Sequence, residues 1–311
     1  MTPIGDLPSV SIVIPTYQGV ATLPATLTAI RAQDYPSPVE LVAIDSTSTD
    51  GTRAVLESFG ARVTVIPQSE FTHGYARNLG VQQATGSAIV FLSQDALPIG
   101  SHWLAGLIAP LTDPTIGAVY ARQVSRPDAT PLEIYFHESL YPPRSKTYRL
   151  SGADSTALDQ IFFSNVCSAA LRSTCLRFPL DETIIMSEDQ AFARAVLQAG
   201  YSTRYLAEVQ VAHSHHYTLS GLFRRNFDSA YSLRGVTSDG AFSMARQGVS
   251  YIAGEAGYVI RARRWRWLFA IPPYEVARIA GRLFGARADR LPQRWRLTLS
   301  LHRSYWLRPK N

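Results

Sequence analysis

The sequence predicts an α/β protein: a mostly parallel central sheet with helices on both faces, followed by a helical C-terminal region. Three observations carry this. Short apolar runs alternate with segments of helical spacing over the first 120 residues. Three of those runs end on polar residues, at Pro15-Thr16-Tyr17, Asp45-Ser46 and Gln94-Asp95. Beyond residue 218 the pattern is helical and rich in Arg.

The elements follow in order. Val10–Ile14 is a β-branched run closed by Pro15. Leu23–Arg31 places Leu23, Leu27 and Ile30 on one helical face. Glu40–Ile44 is a second strand ending on Asp45, and Asp50 is the expected N-cap of a helix over Thr52–Phe59. Arg62–Ile66 is a third strand, Tyr75–Ala84 a helix, and Ala88–Leu92 a fourth strand, apolar along its length. His102–Leu111 reads as a helix and Ile116–Tyr120 as a fifth strand. Strands that alternate with helices in this way form parallel sheets buried on both faces. Residues 123–160, with PPRSK and SGAD, read as a loop-rich insertion. Ser187–Ala199 is a helix stopped by Gly200, and VQVAHSHHY follows it. From Thr218 to Arg234, Leu219, Leu222, Phe223, Phe227, Ala230 and Tyr231 share a face. The remainder is helical, punctuated by Pro272-Pro273 and Pro292.

Composition narrows the classes. At 311 residues with 46% apolar content the chain suits a globular protein. It has no apolar stretch of membrane-spanning length and no basic-then-apolar start of a secretory signal, so a cytoplasmic location is expected. Cys167 and Cys175 allow neither a disulfide framework nor a four-thiolate zinc site, and both are expected in the core. The net charge of +6 is uneven: residues 261–311 hold 13 Lys or Arg against Glu275 and Asp289, a net of +11, which leaves −5 for the rest. RARRWRWLF and RWRLTLSLHRSYWL interleave Arg with Trp, Leu and Phe. That pattern suits a helix lying in a membrane interface better than a nucleic-acid surface, for which no motif is present. A packed helical subdomain with a solvated Arg face has the same composition.

Open α/β sheets bind ligands beyond the carboxyl ends of their strands, so the three polar strand ends mark the expected site. Asp95 could hold a divalent cation facing a diphosphate. Asp45 could accept a hydrogen bond from a base or ribose. Glu188-Asp189 stand in the first turn of a helix, where acids are favoured by the dipole and where one could act as a general base. In an extended segment His213 and His215 point one way and His216 the other, and imidazole is a common metal ligand. The chain has neither GxGxxG after its first strand nor a GxxxxGK[ST] phosphate loop, which disfavours nicotinamide chemistry and excludes a P-loop.

VSIVIPTYQG, ELVAIDSTSTDGT, HGYARNLG, IVFLSQDALP, NVCSAALRS, MSEDQAFARAVLQAGY and VAHSHHY, in this order, resemble the family 2 glycosyltransferases of the GT-A fold. The resemblance covers about residues 9–220. It is nearer still to the rhamnosyltransferase branch, whose tail ends much like LPQRWRLTLSLHRSYW here, from Leu291 to Trp306.

The resemblance implies roles for the matched positions. Pro15, Thr16 and Tyr17 would line the nucleotide pocket and Asp45 would contact the base. Arg77 and Asn78 would lie near the donor's ribose or diphosphate. Gln94 belongs to the same edge, and Asp95 would bind Mn2+ or Mg2+ on the diphosphate. Ser93 stands where the family usually has a first acid, so His213 and His215 would complete the metal shell. Asp189 would be the base, with Glu188 as the runner-up. The expected organisation is a catalytic domain over 1–217, binding nucleotide sugar and acceptor, and a basic amphipathic region over 218–311. The implied reaction is inverting transfer of a sugar, L-rhamnose within this branch, from a dTDP- or UDP-sugar to a glycan or lipid-linked acceptor at the inner face of the cell membrane. The rivals are a catalytically silent binding scaffold, a UDP-hexose transferase, and a sugar-phosphate nucleotidyltransferase, whose GxGTR-like start is absent.

Overall fold

The computed structural model describes residues 7–150, 157–237 and 241–308, with the backbone alone for 241–247. Nine strands form one sheet: β1 (Val10–Thr16), β2 (Val39–Asp45), β3 (Arg62–Val65), β4 (Ala88–Leu92), β5 (Leu97–Pro98), β6 (Ile116–Val124), β7 (Lys146–Tyr148), β8 (Cys167–Leu171) and β9 (Ser202–Ala212). The order is β3-β2-β1-β4-β8-β6-β9-β5, with β7 pairing β9. The β3-β2-β1-β4 half is parallel, as expected. β8 runs antiparallel to both β4 and β6, so the whole sheet is mixed.

Side chains alternate across it. Val10, Ile12, Ile14, Val90 and Leu92 pack on one face with Leu23, Leu27, Leu56 and Trp103. Val13, Val42, Ile44, Ile89 and Phe91 pack on the other with Ala76, Val81, Phe192 and Val196. Helices therefore cover both faces. Cys167 and Cys175 are free and buried, as their apolar settings suggested.

Several local expectations need correction. Asp50 is not the N-cap of the helix Thr52–Ser58; Gly51 is, in the left-handed region. Asp50 instead accepts hydrogen bonds from Thr52 N at 3.0 Å and Val20 N at 3.1 Å, tying two loops together. The stretch 123–160 is not mainly loop. β6 runs on to Val124, and Pro131–Leu140 is a helix with a capping box between Thr130 and Glu133. That TPLE signal, with Pro at the first helical position, is legible in the sequence. The SGAD stretch lies outside the described residues. Pro272-Pro273 do not interrupt a helix but open one, Ile271–Gly285. Gly200 does end the helix Glu188–Gln198, with φ near +89°.

The helices beyond residue 217 pack against the sheet-bearing part of the chain. Phe227, Ala288 and Trp306 share a core with Ile185, flanked by Met186. The helix Leu219–Leu233 crosses Ile271–Gly285 at two glycines. A Cβ at Gly281 would lie 2.4 Å from Phe223 O, and one at Gly285 2.1 Å from Phe227 O. The tail closes on the sheet-bearing part of the chain: Tyr305 Oη donates to Thr183 O at 3.0 Å, and Arg308 donates to Phe71 O at 2.7 Å. No helix among the described residues is long and apolar enough to cross a membrane.

Candidate active site

The three polar strand ends meet. Thr16 lies opposite Asp45 in the β1–β2 register, and its hydroxyl donates to Asp45 Oδ1 at 3.0 Å. Ser48 N and Ser48 Oγ donate to the same carboxylate at 2.8 and 2.6 Å. Asp45 is thus buried and held by its own loop. Just beyond Pro15-Thr16, Tyr17 N donates to Gln94 Oε1 and Gln94 Nε2 donates back to Tyr17 O, each at 2.9 Å. Gln94 therefore locks the β1 loop to the turn that carries Asp95. Two residues of these loops, Gln18 and Thr47, hold positive φ. Such backbone persists in non-glycine residues only where the surroundings fix it.

Asp95 faces two imidazoles. His213 Nε2 lies 3.6 Å and His215 Nδ1 3.7 Å from its carboxylate, and the three ligand atoms lie within 4.8 Å of one another. His216 faces the other way, toward Asp128 at 3.1 Å and Glu133 at 3.2 Å. The split follows from the extended chain that continues β9. Burial, then His215, hold the His213 pKa well below its usual value, so its ring is neutral. Burial also lowers His215, against the opposing pull of Asp95.

Gln123, not anticipated from the sequence, orients this ligand. Its Oε1 accepts from His213 Nδ1 at 2.9 Å, while its Nε2 donates to Ser164 Oγ at 2.9 Å and to Tyr141 Oη. A proton on Nδ1 leaves the Nε2 lone pair aimed at Asp95's side of the ring. Outer hydrogen bonds of this kind fix the tautomer of metal-binding histidines. Arg126, also not anticipated, donates through its guanidinium to Asp95 O. The available sequence signal was weak: Gln123 follows Arg122 at the polar end of a strand that is apolar up to Ala121.

The acid pair stands beside this edge. Arg77 Nη1 donates to Glu188 Oε1 at 2.7 Å, and both side chains are only 6% exposed. Arg77 Nη2 also donates to Asn165 O at 3.3 Å. Asn165 N in turn donates to Asp189 Oδ2 at 3.2 Å. One residue on, Val166 O accepts from Ser93 N at 2.9 Å, two residues short of Asp95. Asn165 thus joins the acid pair to the Asp95 turn. Burial, and then the neighbouring Glu188 charge, push the Asp189 pKa up to about 7. Ser187, at φ near +70°, sets the angle at which the pair enters its helix.

Arg77 and Asn78 are both held by contacts within the protein. Arg77 meets Glu188 and Asn165 through its two Nη atoms. Asn78 donates to Leu180 O at 2.9 Å and Glu182 Oε1 at 2.8 Å, and accepts from Leu180 N at 3.0 Å. Both are buried on the face of the helix His73–Gln83 that meets segment 180–188 and, for Arg77, Asn165.

The chain is similar to known proteins in sequence and in fold. Residues 11–175 match Glycosyl transferase family 2. The O-antigen chain rhamnosyltransferase WbaN of Salmonella anatum is 29% identical over 307 residues, 96% of each chain. RfbN of Salmonella typhimurium, with the same description, is 30% identical over 310 residues, again 96% of each. In fold, the chain is similar to the mannosyltransferase PcManGT of Pyrobaculum calidifontis, solved with GDP-Man and Mn2+. The TM-score is 0.62 at 21% identity, covering 92% of this chain and 88% of that one. Staphylococcus aureus TarS 1–349 with UDP gives 0.52 at 14% identity, covering 91% of each. The fold is GT-A, with a helical C-terminal region, and the chain belongs to glycosyl transferase family 2 as a glycosyltransferase.

Proposed function

We propose that this glycosyltransferase moves L-rhamnose from a nucleoside-diphosphate donor to a hydroxyl of a growing surface polysaccharide, with inversion at the anomeric carbon. The observation that carries the mechanism is the division of labour between adjacent acids. Glu188 is ion-paired with Arg77, whereas Asp189 has no ion pair among the described residues, and burial and the Glu188 charge, outweighing Arg77, raise its pKa to about 7. A base works best with a pKa near the operating pH. Asp189 takes the acceptor proton as that oxygen forms its bond to the anomeric carbon. The bond from that carbon to the diphosphate oxygen breaks, and its electron pair leaves with the nucleoside diphosphate. The sugar assignment draws on the two Salmonella relatives named O-antigen rhamnosyltransferases.

Asp95, His213 and His215 fit a divalent cation, since Gln123 leaves His213 Nε2 unprotonated toward Asp95. A bound cation supplies charge neutralisation at the diphosphate. Two imidazoles favour Mn2+ over Mg2+, which prefers oxygen ligands. Pro15, Thr16, Tyr17, Asp45 and Gln94 would shape the nucleotide end, Asp45 by holding the loop at Ser48.

The C-terminal region adds a membrane-surface contact to this reading. Phe269 is 85% exposed, and Trp265, Val276, Ile279 and Leu283 are exposed near it. Arg261, Arg263, Arg264 and Arg266 surround the turn, while Glu275 is paired with Arg278 and Asp289 with Arg234. An apolar tip ringed by unneutralised Arg suits an anionic leaflet.

Calorimetry tests the donor. dTDP-rhamnose, UDP-glucose, UDP-N-acetylglucosamine and GDP-mannose would be titrated with Mn2+, Mg2+ or EDTA, in the wild type and in Asp95→Ala. The reading expects Mn2+-dependent binding of dTDP-rhamnose, lost in Asp95→Ala. Tight binding of another sugar nucleotide would replace the donor, and metal-independent binding would remove the cation.

A further inference from the structure

Arg225 is part-buried beside the Asp95 edge and, unlike Arg77 and Arg278, meets no acid among the described residues. Arg77 has Glu188, and Arg278 has Glu255 and Glu275. Arg225 has no carboxylate within ion-pair distance among the described residues. Its side-chain hydrogen bond goes to the Tyr217 hydroxyl, and its guanidinium lies 5.2 Å over the Tyr217 ring. Tyr217 in turn packs 5.5 Å from the His215 ring, and His215 faces Asp95. The guanidinium therefore sits one ring removed from the Asp95–His213–His215 cluster. Its field reaches the surrounding imidazoles: burial, and next the Arg225 charge, push His137 down to about 4. Neutral imidazoles and a phenol cannot neutralise it. A part-buried guanidinium without a counter-charge is suited to an anion.

We infer that Arg225 forms a diphosphate subsite, supplied to the catalytic centre by the C-terminal region from the helix Leu219–Leu233. The inference rests on the donor being a nucleoside diphosphate sugar, as proposed above. A guanidinium presents paired N–H donors that match two phosphate oxygens, which the Tyr217 contact pre-orients. The subsite holds the ground-state diphosphate. It then takes up the electron pair's added charge on the leaving oxygen when the glycosidic bond breaks. Arg225 lies outside residues 11–175, where the family match falls, so the match does not account for it.

The test compares nucleosides, nucleoside monophosphates and nucleoside diphosphates of thymine, uracil and guanine, with Mn2+, by calorimetry. The proteins are the wild type, Arg225→Ala, Arg225→Lys and Arg224→Ala. The last removes the same net charge one residue away and controls for long-range attraction. For the base that the wild type prefers, diphosphate affinity should fall about 10- to 100-fold in Arg225→Ala, the worth of a hydrogen bond to a charged group. It should recover in part in Arg225→Lys and hold in Arg224→Ala, with nucleoside affinity unchanged throughout. Equal diphosphate affinity in Arg225→Ala and the wild type would overturn the subsite. So would an equal loss of nucleoside and diphosphate, which marks a structural role. If the wild type binds none of the diphosphates, the donor reading itself fails, and the subsite with it.

Discussion

Arg77 reaches across from one helix to Glu188 at the head of another, 111 positions away in sequence, over 2.7 Å. This pair makes the two adjacent acids unequal. Glu188 becomes the structural partner of a buried cation, and in the proposed reaction Asp189 is left to carry the proton.

Asp189→Asn is therefore expected to lower kcat by about 10²–10⁴-fold, the usual worth of a general base. It should do so without unfolding the protein. The wild-type kcat/KM should fall as pH drops through about 7, where Asp189 takes up a proton. Rates of sugar transfer across pH 5–9 check both; a flat acid limb would reassign the base.

Stability should move the opposite way. The folded pKa of Asp189 is raised above its unfolded value, so the folded state holds the proton more tightly. That contribution is present at low pH and lost as pH rises through about 7. Asp189→Asn should thus melt above the wild type at pH 8, with the gap narrowing toward pH 5. Calorimetric melts at several pH values measure it.

Glu188→Gln strands the Arg77 charge in the interior. Breaking a buried pair from one side costs about 3–5 kcal/mol, read by urea unfolding. It also removes a charge that raises Asp189, so any residual activity should show its acid limb at lower pH.

Gln123→Leu should cut Mn2+ affinity about 10- to 100-fold, the usual effect of losing an outer hydrogen bond to a metal-binding histidine. Gln123→Glu keeps an acceptor for His213 Nδ1 and should retain more of it. Electron paramagnetic resonance of free Mn2+ reports the affinity without an activity assay.

Replacing both Trp265 and Phe269 with Ser should weaken sedimentation with phosphatidylglycerol vesicles and leave transfer to a short soluble acceptor intact. Binding that is indifferent to lipid charge or to these side chains would count against the membrane contact.

The sequence alone determined the frame. Apolar, β-branched runs such as Val10–Ile14 and Ala88–Leu92 report a strand buried on both faces directly, because side-chain composition and face are local properties. The same locality made the polar strand ends and the opposed directions of His215 and His216 readable. Tertiary structure decided what these residues meet. Arg77 meets Glu188, Gln123 orients His213, and the helix Leu219–Leu233 places Arg225 on Tyr217, next to His215. The first two join residues 111 and 90 positions apart. Partner choice there is set by packing and by the cost of leaving a buried charge or donor unmatched, which no local pattern in the chain records.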